Sequence, residues 1–163
     1  PAGERFGKWL DAGFDGEMAY MRRGEEKRKN PHLVLEGVKS ILCFRTNYFA
    51  MEKDMSYVEH REIADISIYA LNKDYHDIIT PRLRKMEKRI QAKFEGCRTR
   101  IYLDTGPLLE KPLAQQAGLG WIGKHTLLIN PRIGSWLLLE ARESQHILDN
   151  SLDSSSLLIH TIE

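Results

Sequence analysis

Asp104-Thr105-Gly106-Pro107-Leu108-Leu109-Glu110-Lys111-Pro112-Leu113-Ala114 leads without interruption into Gln115-Gln116-Ala117-Gly118-Leu119-Gly120-Trp121-Ile122-Gly123-Lys124-His125-Thr126. The order of elements in this stretch decides between folds. Pro112 suits the first turn of a short helix and Gly118 its end. The glycines Gly118, Gly120 and Gly123 therefore follow a helix and precede a strand. A dinucleotide-binding loop needs the reverse order, because the helix amino terminus must face the pyrophosphate. A phosphate-binding Walker loop fails as well. His125 stands where a magnesium-binding Ser or Thr belongs, and no strand comes before it. What remains is a glycine-rich connection that either shapes a tight turn or lets backbone amides approach a ligand.

Outward from this stretch, Arg98 to Asp104 reads as a strand ending in an acid. Thr126 to Asn130 and Trp136 to Leu139 read as a hairpin around Pro131-Gly134. Upstream, the apolar positions from Ile63 to Phe94 follow helical spacing, and Pro81 predicts two helices or one bent helix. Val38 to Tyr48 mixes an apolar run with alternation and predicts a strand. Phe6 to Leu10 predicts a short helix closed by Gly13, and a second helix is expected from Gly16 to Met21. Arg22 to Pro31 is expected to be a charged loop. The class implied is α+β.

The chain has 163 residues with a formal net charge of +1. One domain is expected, able to bury roughly two thirds of its unfolded surface. Near-neutral charge argues against a generic nucleic-acid coat. No apolar run approaches the roughly 20 residues that span a bilayer, so no membrane association is expected. Cys43 and Cys97 are the only cysteines and lack metal-ligand spacing, so no protein-held metal and a reducing, cytoplasmic setting are expected. The chain opens on Pro1 without Met, and a start inside a longer protein is expected. After Glu140 the composition turns polar, and Asp149 to Ser156 is rich in Ser and Asp.

Several segments together resemble the epoxyqueuosine reductases. They are Gly16-Glu17-Met18-Ala19-Tyr20-Met21, Arg28 with Pro31, Tyr69-Ala70-Leu71, Asp74-Tyr75-His76, and above all Asp104 through Trp136. The resemblance runs from about residue 5 to 139. It implies a nitroreductase-related α/β sandwich, a mixed sheet flanked by helices, binding cobalamin over residues 1–139. Residues 140–163 would be an atypical tail, disordered or frame-shifted. The implied activity is reduction of epoxyqueuosine to queuosine in tRNA, by a monomer. Electrons would come from two [4Fe–4S] clusters whose cysteine runs are expected after Leu139 and are absent from this chain. A missing domain or an external donor would have to replace them, so the chain is expected to be inactive alone.

In this resemblance Asp104 matches the proton donor to the departing oxygen. A carboxyl can act so only when protonated, and burial would raise its pKa from the usual ~3.9. From the residues alone, Asp104 reads first as a cap of the turn at Thr105-Gly106, and only the resemblance favours the acid. Arg28, Tyr69, Gly118, Gly120, Lys124, His125 and Ser135 would contact the cofactor, and Tyr75 and His76 the substrate. Lys124 and His125 read equally well as solvated loop residues, and Tyr75 and His76 as a helix-surface pair. Arg82, Arg84, Lys85, Lys88, Arg89, Lys93, Arg98 and Arg100 read first as a solvated helix face and second as a phosphate contact for tRNA. Two other functions fit the same fold: a corrinoid-carrying module, which needs no clusters, and a flavin-binding nitroreductase relative.

Overall fold

A computed structural model describes residues 2–49, 62, 64, 66–71 and 73–145, and the backbone of 157–161. Its centre is a four-stranded antiparallel sheet, ordered β2-β5-β1-β6. The strands are β1 (Ser40–Asn47), β2 (Thr99–Leu103), β5 (Leu137–Ser144) and β6 (Leu157–Thr161). A two-stranded hairpin, β3 (Trp121–Ile122) with β4 (Leu128–Ile129), stands apart. The helices are α1 (Ala2–Asp11), α2 (Ala19–Arg23), α3 (Glu25–Lys29), α4 (Tyr75–Lys93) and α5 (Glu110–Gln116).

Strand alternation sorts the core into two layers. Ile41, Cys43 and Ala141 face Leu113, Ala114, Leu119 and Leu128, from α5 and the hairpin. Leu42, Phe44 and Leu103 face Ile79, Leu83 and Ile90 of α4. The sheet is thus covered on both faces, the α+β sandwich expected. Every described strand pair is antiparallel, however, where a mixed sheet was expected.

Two local expectations change. Arg22 to Pro31 is helical in α2 and α3, because Glu25 and Lys29 pair one turn apart and acids open α3 while bases close it. The long helix begins only at Tyr75, where the Asp74 side chain accepts from the His76 amide at 2.8 Å. Residues 68–70 form a separate short turn, and Ile63 lies outside the described residues. Pro81 sits inside α4 on its exposed face, so the carbonyl it leaves unpaired has access to water.

The Pro131-Gly134 turn does not join the two strands expected to pair. Asn130 and Gly134 close it by reciprocal backbone bonds of 2.9 Å, and β4 turns back onto β3 instead. The apolar run from Leu137 is then free to enter the sheet between β1 and β2. The boundary expected at Leu139 falls inside this strand, which stays buried through Ser144. Arg142 is fully buried and pairs with Glu87 of α4 at 2.7 Å. The Ser- and Asp-rich segment from Asp149 to Ser156 lies outside the described residues.

Candidate active site

β2 delivers Leu103 into the core and releases the chain at Asp104, whose φ is 60°. Asp tolerates this left-handed region better than most residues. The turn is tight: the Thr105 amide bonds Leu103 O at 2.7 Å. Gly106 lies against the Tyr102 ring so closely that a Cβ would sit 2.3 Å from its edge. Glycine is required there by packing.

Asp104 is an exposed residue, where the sequence suggested a poorly solvated acid. Its carboxyl is nevertheless held above the ordinary value, because part of its hydration is removed. The Tyr75 hydroxyl donates to that carboxyl. Tyr75 in turn stacks on His76, with ring centroids 4.2 Å apart, and meets Tyr69 edge-on at 6.0 Å.

Two clefts flank this pair. One, of 360 Å³, is walled by Phe6, Trp9, Arg28, Asp104, Leu108 and Glu110. The other, of 230 Å³, is walled by Tyr48, Tyr69, Lys73, Tyr75, Ile78 and Arg82. Asp104 borders the first and Tyr75 the second, so the bond between them joins the two walls. A third cavity of 320 Å³ lies under α4, beside Glu140 and Arg82.

Two carboxyls that sequence reasoning passed over attend Asp104. Glu110 is pushed up to about 7, first by burial and then by the charge of Asp104. Glu140 is also pushed up to about 7, by burial and again by Asp104, against a hydrogen bond from Thr46. Each has a buried Oε1 with no hydrogen-bond partner among the described residues. Burial and the nearby negative charge of Asp104 thus leave Glu110 and Glu140 holding protons near neutral pH. Glu110 stands inside the quoted stretch and could have been weighed there. Glu140 gave no sequence signal, because it ends an apolar run and becomes buried only by pairing with Leu103 and Phe44.

The structure brings Asp104, Arg28, Tyr69, Tyr75 and His76 into this region. Gly118, Gly120, Lys124, His125 and Ser135 line neither cleft. Gly118, at φ 85°, ends α5. A Cβ on Gly120 would lie 2.1 Å from Ile129 O, so this glycine serves the β3–β4 contact. Lys124 and His125 stand exposed at the hairpin tip, and Ser135 precedes β5.

No group of three or more His, Cys, Asp or Glu side chains that could hold a metal occurs among the described residues. Both cysteines are buried, and burial drives the Cys43 thiol up to about 12, so it stays protonated. No helix among the described residues is long and apolar enough to cross a membrane.

Residues 28–105 match the family model described as Epoxyqueuosine reductase QueG, DUF1730. The epoxyqueuosine reductase of Gloeobacter violaceus is 41% identical over 138 residues, which cover 85% of this chain and 41% of that protein. The chain therefore spans about two fifths of that relative's length. Among solved structures, an epoxyqueuosine reductase with an epoxyqueuosine-modified tRNA-Tyr stem loop superposes with a TM-score of 0.61 at 28% identity. It covers 74% of this chain and 32% of the other. The Bacillus subtilis epoxyqueuosine reductase, with its aspartate catalytic loop swung out of the active site, gives 0.60 at 26% identity. There the coverage is 79% of this chain and 35% of that one.

Proposed function

We propose, for a chain that belongs with the epoxyqueuosine reductases over 80% of its length, that it forms the proton-donating part of an enzyme reducing epoxyqueuosine in tRNA to queuosine. The observation that carries this reading is the placement of Asp104. It sits at the junction of two clefts with its carboxyl biased toward the protonated form.

An epoxide oxygen that leaves as water takes up two electrons and two protons. Asp104 is placed to give the first proton to that oxygen, and Tyr75 to orient the carboxyl that gives it. Glu110 and Glu140 hold further protons nearby. The aromatic cleft of Tyr48, Tyr69 and Tyr75 suits a flat base or ring, with Lys73 and Arg82 for its phosphates. The exposed basic face of α4, with Arg84, Lys85, Lys88 and Arg89, continues in reach of a nucleic-acid backbone.

Cobalamin, when bound, would supply electrons at the epoxide carbon. The residues here fit one wall of such a site. The cleft beside Asp104 is apolar along Phe6, Trp9 and Leu108, with Arg28 and Lys111 for amide or phosphate groups. At 360 Å³ it lies near the low end of pockets that enclose a drug-sized ligand, roughly 300–1,000 Å³, so it would line a corrinoid and not surround it. Gly118, Gly120, Lys124, His125 and Ser135 remain proposals for its more distant contacts. The two cysteines do not fit a [4Fe–4S] cluster, which takes four thiolates. Electrons therefore reach this site from a donor outside these residues. The setting proposed is cytoplasmic, with the enzyme acting as a monomer.

A corrinoid carrier is the second reading, favoured by the cysteine count. Titrating the protein into cob(II)alamin and then adding an epoxyqueuosine stem loop tests the first. A spectral change on mixing, and a second on adding the stem loop, is expected. A corrinoid response that ignores the stem loop would favour the carrier, and no response at all would remove both.

A further inference from the structure

The 320 Å³ cavity under α4 has one acid in its wall, Glu140. Strand alternation turns this side chain toward α4, on the face shared by Phe44 and Leu103, its partners in the sheet. Glu140 is 2% exposed, and its Oε1 has no hydrogen-bond partner among the described residues. A carboxyl so placed is costly unless something donates to it. The cavity also continues into its neighbour. Thr46, Asn47, Ile79 and Arg82 line both it and the aromatic cleft of Tyr48, Tyr69 and Tyr75. A flat ring entering past the tyrosines would meet Thr46 and Arg82 at the shared wall and Glu140 beyond them.

The wall chemistry narrows the ligand. A bare metal ion would find one carboxyl with a guanidinium beside it, and an anion would meet a buried acid. A cationic group would be opposed by Arg82. A neutral heterocycle escapes all three difficulties if it brings a carbonyl for Thr46 or Arg82 and adjacent N–H donors for Glu140. The guanine-type edge has that order: carbonyl, ring N–H, exocyclic amine. The deazaguanine ring of epoxyqueuosine presents the same edge.

We propose that this cavity reads the guanine-type edge of a splayed-out base, with Glu140 accepting from the ring N–H and the exocyclic amine while the ring stacks among the tyrosines. This rests on the reading of the aromatic cleft as the place of the substrate's base and adds what selects that base. Two donors side by side match the two oxygens of one carboxylate and favour its ionised form. Burial holds Glu140 up to about 7, so binding tightens as pH rises through that value and fewer molecules must first lose a proton. The charged groups around Glu140 are Arg45 of β1, Arg82 of α4, Asp104 after β2 and Glu110 of α5. Arg142, two residues along β5, is paired with Glu87.

Amide shifts of the 163-residue chain test this without cofactor, in titrations with 7-deazaguanosine and with 7-deazainosine, which lacks the exocyclic amine. The first nucleoside is expected to shift the Thr46 and Asn47 amides and to bind at least about tenfold more tightly than the second, because a site built for two donors rejects a ligand with one. Its affinity should rise between about pH 6 and 8. Glu140→Gln keeps the side chain's size but sets an amide NH₂ against the amine, so the preference should vanish and the pH dependence with it. Equal affinity for the two nucleosides in the wild type, no binding of either, or a preference that survives in Glu140→Gln would overturn the proposal. If that variant does not fold, the wild-type preference and its pH profile decide. The outcome is separable from the reductase reading. Selective binding without turnover of an epoxyqueuosine stem loop leaves the cavity its ligand and removes the reductase, and turnover without selectivity removes the cavity's role alone.

Discussion

The Tyr75 hydroxyl donates to the Asp104 carboxyl, tying the first turn of α4 to the residue that follows β2. The two residues are far apart in sequence, and one contact sets both the direction of the acid and the partition between two clefts. A donated hydrogen bond favours the ionised carboxyl, so it works against the desolvation that raises Asp104.

Removing that hydroxyl should therefore raise Asp104 further. In Tyr75→Phe the carboxyl is expected to titrate at higher pH than in the wild type, by carbon shift. Turnover in a reconstituted enzyme should fall about tenfold or more, since a small misplacement of a proton donor is costly. An unchanged or lowered titration would mean that the contact does not act on Asp104.

Stability should decline as pH rises through neutrality. Glu110, Glu140 and Glu143 each bind protons more tightly folded than unfolded, with folded values near about 7 against 4.5. Between those values the folded state holds more protons, so ΔG of unfolding falls with pH and levels off above about 7. The melting temperature should be higher near pH 5 than near pH 8, by an effect on the order of 1–3 kcal/mol per group. Glu140→Gln should flatten the profile.

The Arg142–Glu87 pair joins β5 to α4 beneath the sheet. Arg142 also donates to Leu83 O and Thr99 Oγ1, both at 3.1 Å. Glu87→Gln would leave a buried guanidinium without its counter-charge. A loss of about 3 kcal/mol in chemical denaturation is expected. A loss below about 0.5 kcal/mol would show that Arg142 finds compensation elsewhere.

Gly120→Ala separates a structural glycine from a cofactor-binding one. Its new methyl would meet Ile129 O at 2.1 Å, so the β3–β4 contact must open. Destabilisation of about 2 kcal/mol is expected without any ligand. A variant of native stability that binds cobalamin poorly would instead return Gly120 to the cofactor site.

What the sequence disclosed follows from how local each signal is. β1, β2 and α5 announce themselves through apolar runs, Pro112 and Gly118, which act within a few residues. Asp104 stood out as a candidate because an acid at a strand end beside Gly106 is a local pattern, strengthened by family likeness. The strand pairing around Pro131-Gly134 was not, since the turn chemistry suits either partner and the choice is made by the sheet. Glu140, Arg142 and Glu143 look like the start of a polar tail. α4 covers Glu140 and Arg142, while Glu143 is buried on the other face of β5 beside Arg100, and no neighbouring residue encodes either. Glu110 acquires its shifted proton affinity in the same way, from the fold that brings Asp104 beside it.

The central claim is that Asp104 delivers a proton to the oxygen that leaves. Product formation should be followed by mass, using an epoxyqueuosine stem loop, chemically reduced cobalamin and an enzyme carrying this chain, as wild type and as Asp104→Asn. The asparagine variant should retain the corrinoid spectrum and lose at least about a hundredfold in queuosine formation. Queuosine formed at the wild-type rate by Asp104→Asn would contradict the account.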